Sequence, residues 1–202
     1  MIVIVDYGMG NLGSISNMLK KIGAKNIVSS KIVDIEGADK LILPGVGAFD
    51  NAIKNIKNLG IWEVLNKTAK KGKIPIMGIC LGMQLLSKRS EEGVLKGFGW
   101  VDAKTIRFRF NGNDLKIPHM GWNTIKMERD DGLLKNLENP RFYFVHSYHL
   151  VCNNEKDILA KTSYGYDFTS IVRNENIMGV QFHPEKSHKF GMQILKNFAE
   201  EI

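Results

Sequence analysis

Through the first half of this chain, short apolar runs alternate with stretches of helical periodicity, and few folds accommodate that alternation. Ile2–Val5 ends in Asp6 and a turn, Tyr7-Gly8-Met9-Gly10-Asn11. Leu12, Ile15, Met18, Leu19 and Ile22 then recur on one helical face, and Gly23 closes the helix. Asn26–Ser29 reads as a second strand and Lys40–Leu43 as a third, stopped by Pro44-Gly45-Val46-Gly47. Helical spacing resumes at Ala52, Ile53, Ile56 and Leu59, and again at Ile61, Val64 and Leu65. Residues 74–79 are apolar throughout, and a helix over 81–86 follows without a loop. Strands with no polar alternation must be covered on both faces. The first half therefore predicts a mostly parallel open α/β sheet between two layers of helices, a three-layer arrangement.

The second half changes character. Strand-like runs fall at 105–110, 122–127, 142–151, 170–173 and 178–182, separated by turn signals such as Asn111-Gly112-Asn113-Asp114 and Asn174-Glu175-Asn176. These read as antiparallel additions to the main sheet, and an amphipathic helix over about 189–200 closes the chain. No repeat, low-complexity tract or linker divides the sequence. Its 202 residues suit one large domain, residues 1–202, that buries its core without staples.

Composition removes several classes of function. The net charge is +7, but the lysines are scattered (Lys20-Lys21, Lys67, Lys70-Lys71, Lys88-Arg89) and no aromatic stripe interleaves them, so nucleic-acid binding is not expected. The two cysteines, Cys80 and Cys152, form no CxxC pair, which argues against zinc, thioredoxin-type and disulfide-scaffold readings. The N-terminus has no basic segment ahead of an apolar core, and no apolar stretch approaches membrane-spanning length. A cytoplasmic protein is expected, and there a free thiol can serve as a nucleophile.

Gly78-Ile79-Cys80-Leu81-Gly82 has the form of a nucleophile elbow, with small residues at minus two and plus two between an apolar strand and a helix. The turn lifts Cys80 above the sheet edge and places it at a helix N-terminus, where thiolate is favoured. In Gln181-Phe182-His183-Pro184-Glu185 an apolar strand likewise ends at a histidine, the usual base for a cysteine. A carboxylate two residues on can fix its tautomer. Both residues follow apolar strands, so both can stand at the C-terminal rim where open α/β folds bind ligands. The turn at residues 44–47 adds exposed backbone amides of the kind that stabilise an oxyanion, to pair with the Leu81 amide.

GICLGMQ, the PGVG turn and FHPE together resemble the class I (triad) glutamine amidotransferases, whose fold is flavodoxin-like. DYGMGNL at 6–12, PHMGWN at 118–123, FVHSY at 144–148 and HPEKS at 183–187 narrow the resemblance to the glutaminase subunits of imidazole glycerol phosphate synthases, over residues 2–200. The resemblance implies a catalytic triad of Cys80, His183 and Glu185, and an oxyanion hole from the Val46 and Leu81 amides that often forms fully only once a partner is engaged. It implies that Gly47, Gln84, Ser147 and Tyr148 hold substrate glutamine. Asn11, Trp122 and Lys186 then face a heterodimeric partner, a cyclase subunit with a (β/α)8 barrel that receives the ammonia. No cofactor and no metal is implied on this chain. Tyr143 is expected to pack at the core or interface, His119 and His146 to make structural hydrogen bonds, and Cys152 to be a buried apolar residue. The stretches 97–103 and 187–192 depart from the histidine-pathway pattern and resemble paralogues that supply ammonia for an amidino group on a surface-sugar precursor. Two further readings stay open on the residues: a catalytically silent subunit of such a synthase, and a cysteine peptidase of related architecture.

Overall fold

The computed structural model describes residues 1–110, 112 and 115–202, so most of the turn expected at 111–114 lies outside the described residues. The first half folds as β1 (Ile2–Val5), α1 (Leu12–Lys21), β2 (Asn26–Ser29), α2 (Ile32–Glu36), β3 (Lys40–Leu43), α3 (Phe49–Asn58), α4 (Trp62–Lys70), β4 (Ile76–Ile79) and α5 (Leu81–Leu85). The second half adds β5 (Ala103–Arg107), β6 (His119–Thr124), β7 (Lys126–Met127), β8 (Arg141–His146), β9 (Tyr148–Cys152), β10 (Ile158–Tyr164), β11 (Tyr166–Asn174), β12 (Ile177–Val180) and α6 (His188–Glu200).

The main sheet runs β2-β1-β3-β4-β12-β11-β10-β7, with β9 branching from β11 and β5 pairing β9. The first five strands are mutually parallel. From β11 onward the added strands are antiparallel. Alternate strand residues feed two apolar layers, as the period of two requires. Ile2, Ile4, Ile42, Met77 and Ile79 pack with Ile15 and Leu19 of α1 and Ile194, Leu195 and Phe198 of α6. Val3, Val5, Leu41, Leu43 and Ile76 pack with Ile53 and Ile56 of α3, Leu65 of α4 and Leu81 and Leu85 of α5.

Three features depart from the sequence reading. The five-residue α2 is too short to show periodicity, and β10 is absent from that reading. The run at 142–151 is two strands, because the chain leaves β8 at His146 and enters β9 at Tyr148, with Ser147 between them. Third, β6 and β8 form a separate two-stranded sheet instead of joining the main one. Its inner face carries His119, Phe142, Phe144 and His146, all buried, whereas Met120 and Trp122 point outward and are 62% and 45% exposed.

Candidate active site

Because β4 and β12 are parallel neighbours in register, Ile79 opposite Val180, the segments that leave their C-terminal ends emerge at the same rim of the sheet. Cys80 leaves β4 with φ 54°, ψ −110°, a left-handed conformation costly for a residue with a Cβ. Its N–H donates to the Val180 carbonyl at 2.8 Å, which pins the elbow to the neighbouring strand. A Cβ on Gly78 would stand 2.5 Å from the Gly82 carbonyl oxygen, so the turn closes only with glycine at minus two.

His183, three residues past β12, is buried, and its Nδ1 lies 2.9 Å from Glu185 Oε1. Both side chains are 2% exposed. His183 Nε2 is buried with no hydrogen bond of full geometry, and His183 lines the same cavity as Cys80. Burial works against the imidazolium, but Cys80 beside it and the Glu185 carboxylate on Nδ1 prevail, pushing the His183 pKa up to about 10. The proton on His183 therefore contributes stability that is complete below its ordinary value of 6.5 and is lost as pH rises through about 10. His183→Gln is expected to be less stable than the parent at pH 6, with the gap narrowing toward pH 10 in urea titrations.

The cavity, about 320 Å³, is lined by Val46, Gly47, Cys80, Leu81, Gln84, Glu92, Pro118, Val145, His146, Ser147, Tyr148 and His183. It thus gathers the expected nucleophile, base, oxyanion-hole and substrate-binding positions, while Glu185 sits behind His183. Gln84 is buried, and its Nε2 donates to the Tyr148 carbonyl at 3.0 Å and to Gln181 Oε1 at 3.3 Å. Gln181 and Glu92 had no role in the sequence reading. Gln181 is fully buried, and its Nε2 approaches Cys80 Sγ at 3.8 Å. A polar residue two before His183 in an apolar run was the signal for it. Glu92 Oε2 accepts from the Phe49 amide at 2.9 Å; its place follows only from the fold.

The three partner-facing candidates lie outside the cavity. Trp122 stacks on His188 with centroids 5.4 Å apart and planes 5° from parallel. It meets Tyr143 edge-on at 6.2 Å, and Lys186 Nζ stands 5.6 Å from the Tyr143 ring. Asn11 is exposed at the head of α1, and that helix packs against the 3-10 turn Pro184–Lys186. Cys152 is half-buried, and burial pushes its thiol up to about 11. Among the described residues no group of three or more His, Cys, Asp or Glu is placed to hold a metal ion, and no helix is long and apolar enough to cross a membrane.

A strained cysteine elbow and a histidine–carboxylate pair, from the segments that follow two neighbouring parallel strands, thus meet at a cavity large enough to admit an amino acid. The family model for class-I glutamine amidotransferases matches residues 3–202, and the chain belongs to that family. Among its relatives, imidazole glycerol phosphate synthase subunit HisH 2 of Methanococcus maripaludis is 54% identical with all of both chains covered. The protein of that name from Pseudomonas aeruginosa is 50% identical over 99% of each chain. Among solved structures, a glutamine amidotransferase superposes with a TM-score of 0.72 over 96% of this chain and 99% of its own, at 22% identity. A chain of PurLQS from Thermotoga maritima gives 0.67 over 98% and 96%, at 19% identity; both likenesses speak to the fold alone.

Proposed function

We propose that this chain, acting as one domain, is the glutaminase subunit of an imidazole glycerol phosphate synthase in histidine biosynthesis. The observation that carries the reading is Cys80 and His183 lining one cavity, with Glu185 on Nδ1 of the imidazole. Cys80 Sγ attacks the side-chain amide carbon of glutamine. The amides of Val46 and Leu81 take up charge on the carbonyl oxygen. His183, having taken the Cys80 thiol proton on Nε2, delivers it to the departing nitrogen, and ammonia leaves behind a γ-glutamyl thioester. Water, losing a proton to His183, then attacks the thioester, and His183 passes that proton to the departing sulfur, releasing glutamate and restoring the thiol. Glu185 orients the ring throughout. Gly47, Gln84, Ser147 and Tyr148 hold the substrate, and the chemistry calls for no metal or cofactor.

Ammonia set free in neutral water is protonated and ceases to be a nucleophile. A partner must therefore take it directly, and the similarity to synthase subunits supports a (β/α)8-barrel cyclase bound over Asn11, Trp122 and Lys186. The complex is proposed to work in the cytoplasm. Lys186→Ala is expected to weaken partner-stimulated glutamine turnover about tenfold while moving Tm by no more than about 2 °C. Calorimetry beside a coupled assay checks both, and a collapse in Tm would assign Lys186 to folding.

The deciding assay is glutamate release by the chain mixed with its neighbouring cyclase subunit, with and without the histidine-pathway nucleotide intermediate. Strong stimulation supports the reading. The stretches 97–103 and 187–192 favour a second reading, in which a sugar-modifying partner receives the ammonia; glutaminase activity that ignores the nucleotide but responds to such a partner would select it. Absence of any Cys80 adduct with a glutamine-mimicking alkylator, read by mass spectrometry, would instead leave a catalytically silent subunit.

A further inference from the structure

His119 and His146 stand opposite each other across β6 and β8, both buried, with His146 lining the cavity and neither used by the proposed chemistry. Their hydrogen bonds determine one another. His146 Nδ1 is 2.8 Å from the Tyr148 carbonyl, which can only accept, so Nδ1 carries a proton. Burial pushes the His146 pKa down to about 3, keeping the ring neutral, so its Nε2 is an acceptor. His119 Nδ1, 3.1 Å away, must then be the donor. Burial also holds His119 neutral, with its pKa lowered to about 4, so the remaining Nε2 accepts from Asn123 Nδ2 at 3.3 Å. The second Asn123 amide proton goes to the Ser163 carbonyl at 2.9 Å, and Asn123 Oδ1 accepts the Thr124 amide at 2.8 Å, which fixes the amide orientation. Every proton therefore points one way, from Asn123 inward to Tyr148. The Tyr148 carbonyl at the end of this line is the one that takes Gln84 Nε2.

We propose that His119 and His146 are positioning residues for glutamine binding: a hydrogen-bonded line of fixed polarity that anchors the Tyr148 carbonyl and, through it, Gln84 on the cavity wall. The inference rests on the glutaminase reading for its kinetic readout but not for its structural one. The line ends at the Tyr148 carbonyl and reaches Cys80 Sγ only through Gln84 and Gln181, so its loss falls first on affinity for glutamine and less on the bond-breaking step. Asn123, at its outer end, adjoins Trp122 on the strand whose other face points outward.

Two measurements test it. Ring 15N spectra should show both histidines as Nδ1–H tautomers, the minority form of free imidazole side chains in water; an Nε2–H tautomer at either would overturn the relay. His119→Phe keeps the stacking on Phe144 and Tyr164, at 4.9 and 4.1 Å, but removes the donor. With the partner present it should raise the KM for glutamine about tenfold and hold kcat within about twofold. His119→Asn, whose amide nitrogen replaces Nδ1, should bring KM back to within about threefold of the parent. A purely structural role would lower Tm in the Phe variant and leave KM unmoved, and an unmoved KM overturns the proposal. Should the parent itself fail to turn over glutamine, the function proposed above falls, and the tautomers alone decide whether the line exists.

Discussion

Cys80→Ala is expected to cut glutamine hydrolysis by at least about 10⁴-fold in kcat, with ammonia-dependent synthesis by the partner left at the parent rate. The size follows from the thiol's place in the scheme. Cys80 forms the covalent bond, and neither Gln181 at 3.8 Å nor His183 beside it carries a nucleophile that could replace it. The selectivity follows from the architecture. Removing one sulfur from an elbow held by the Cys80–Val180 backbone bond at 2.8 Å leaves the turn, the cavity and the outward face of β6 and β8 in place. A glutamate-release assay run beside an ammonia-fed assay of the complex separates the two. Loss of the ammonia-fed reaction as well would show that Cys80 supports the complex and not only the chemistry.

Gly82→Ala should be the most damaging single-methyl change near the site, costing about 3 kcal/mol or more of stability and about 6 °C or more in Tm. A Cβ there would sit 1.7 Å from the Leu43 carbonyl oxygen, and both atoms lie in the packed junction of β3 with the start of α5. That carbonyl cannot swing aside, because Leu43 ends a strand and Pro44 comes next. Relief must come from moving α5, which carries Leu81 and Gln84, or the 44–47 turn, so glutamine turnover should fall with stability. Gly13→Ala is the control. It lies within α1 with nothing within 4 Å of the added methyl, and it should gain about 0.5–1 kcal/mol from helix propensity. Thermal melts of both variants check the contrast, and a neutral Gly82→Ala would mean that β3 and α5 pack less closely than described.

The parallel half of the fold was readable because three of its strands, β1, β4 and β12, are apolar runs buried along their whole length, a pattern with few solutions. Cys80 and His183 were readable for a related reason: each comes directly after such a run, so locating the strands located the rim. Ser147 and Tyr148 were assigned through resemblance, and the structure supplies the physical cause of their position. The chain changes sheets at Ser147, and a change of sheet leaves no mark on hydrophobic periodicity. Gln181 and Glu92 were missed, and the hydrogen bonds expected of His119 and His146 were left without partners, because those partners are distant in sequence. Gln84 and Gln181 meet across 97 residues and His119 and His146 across 27. Burial of a polar group can be suspected from a sequence, but the atom that satisfies it cannot.

The pairing of β4 with β12 also bears on how the protein is made. Ile76 and its partner Ile177 are separated by roughly a hundred residues, which at ribosomal speed is an interval of roughly 5–20 s. During that time β4 can pair with β3 but has a bare apolar edge on its other side, where the finished sheet places β12. Such an edge invites pairing with other chains. The nascent protein therefore passes through a stage in which the strand leading to Cys80 has an unpaired edge, and synthesis of β12 both covers that edge and brings His183 to the same rim.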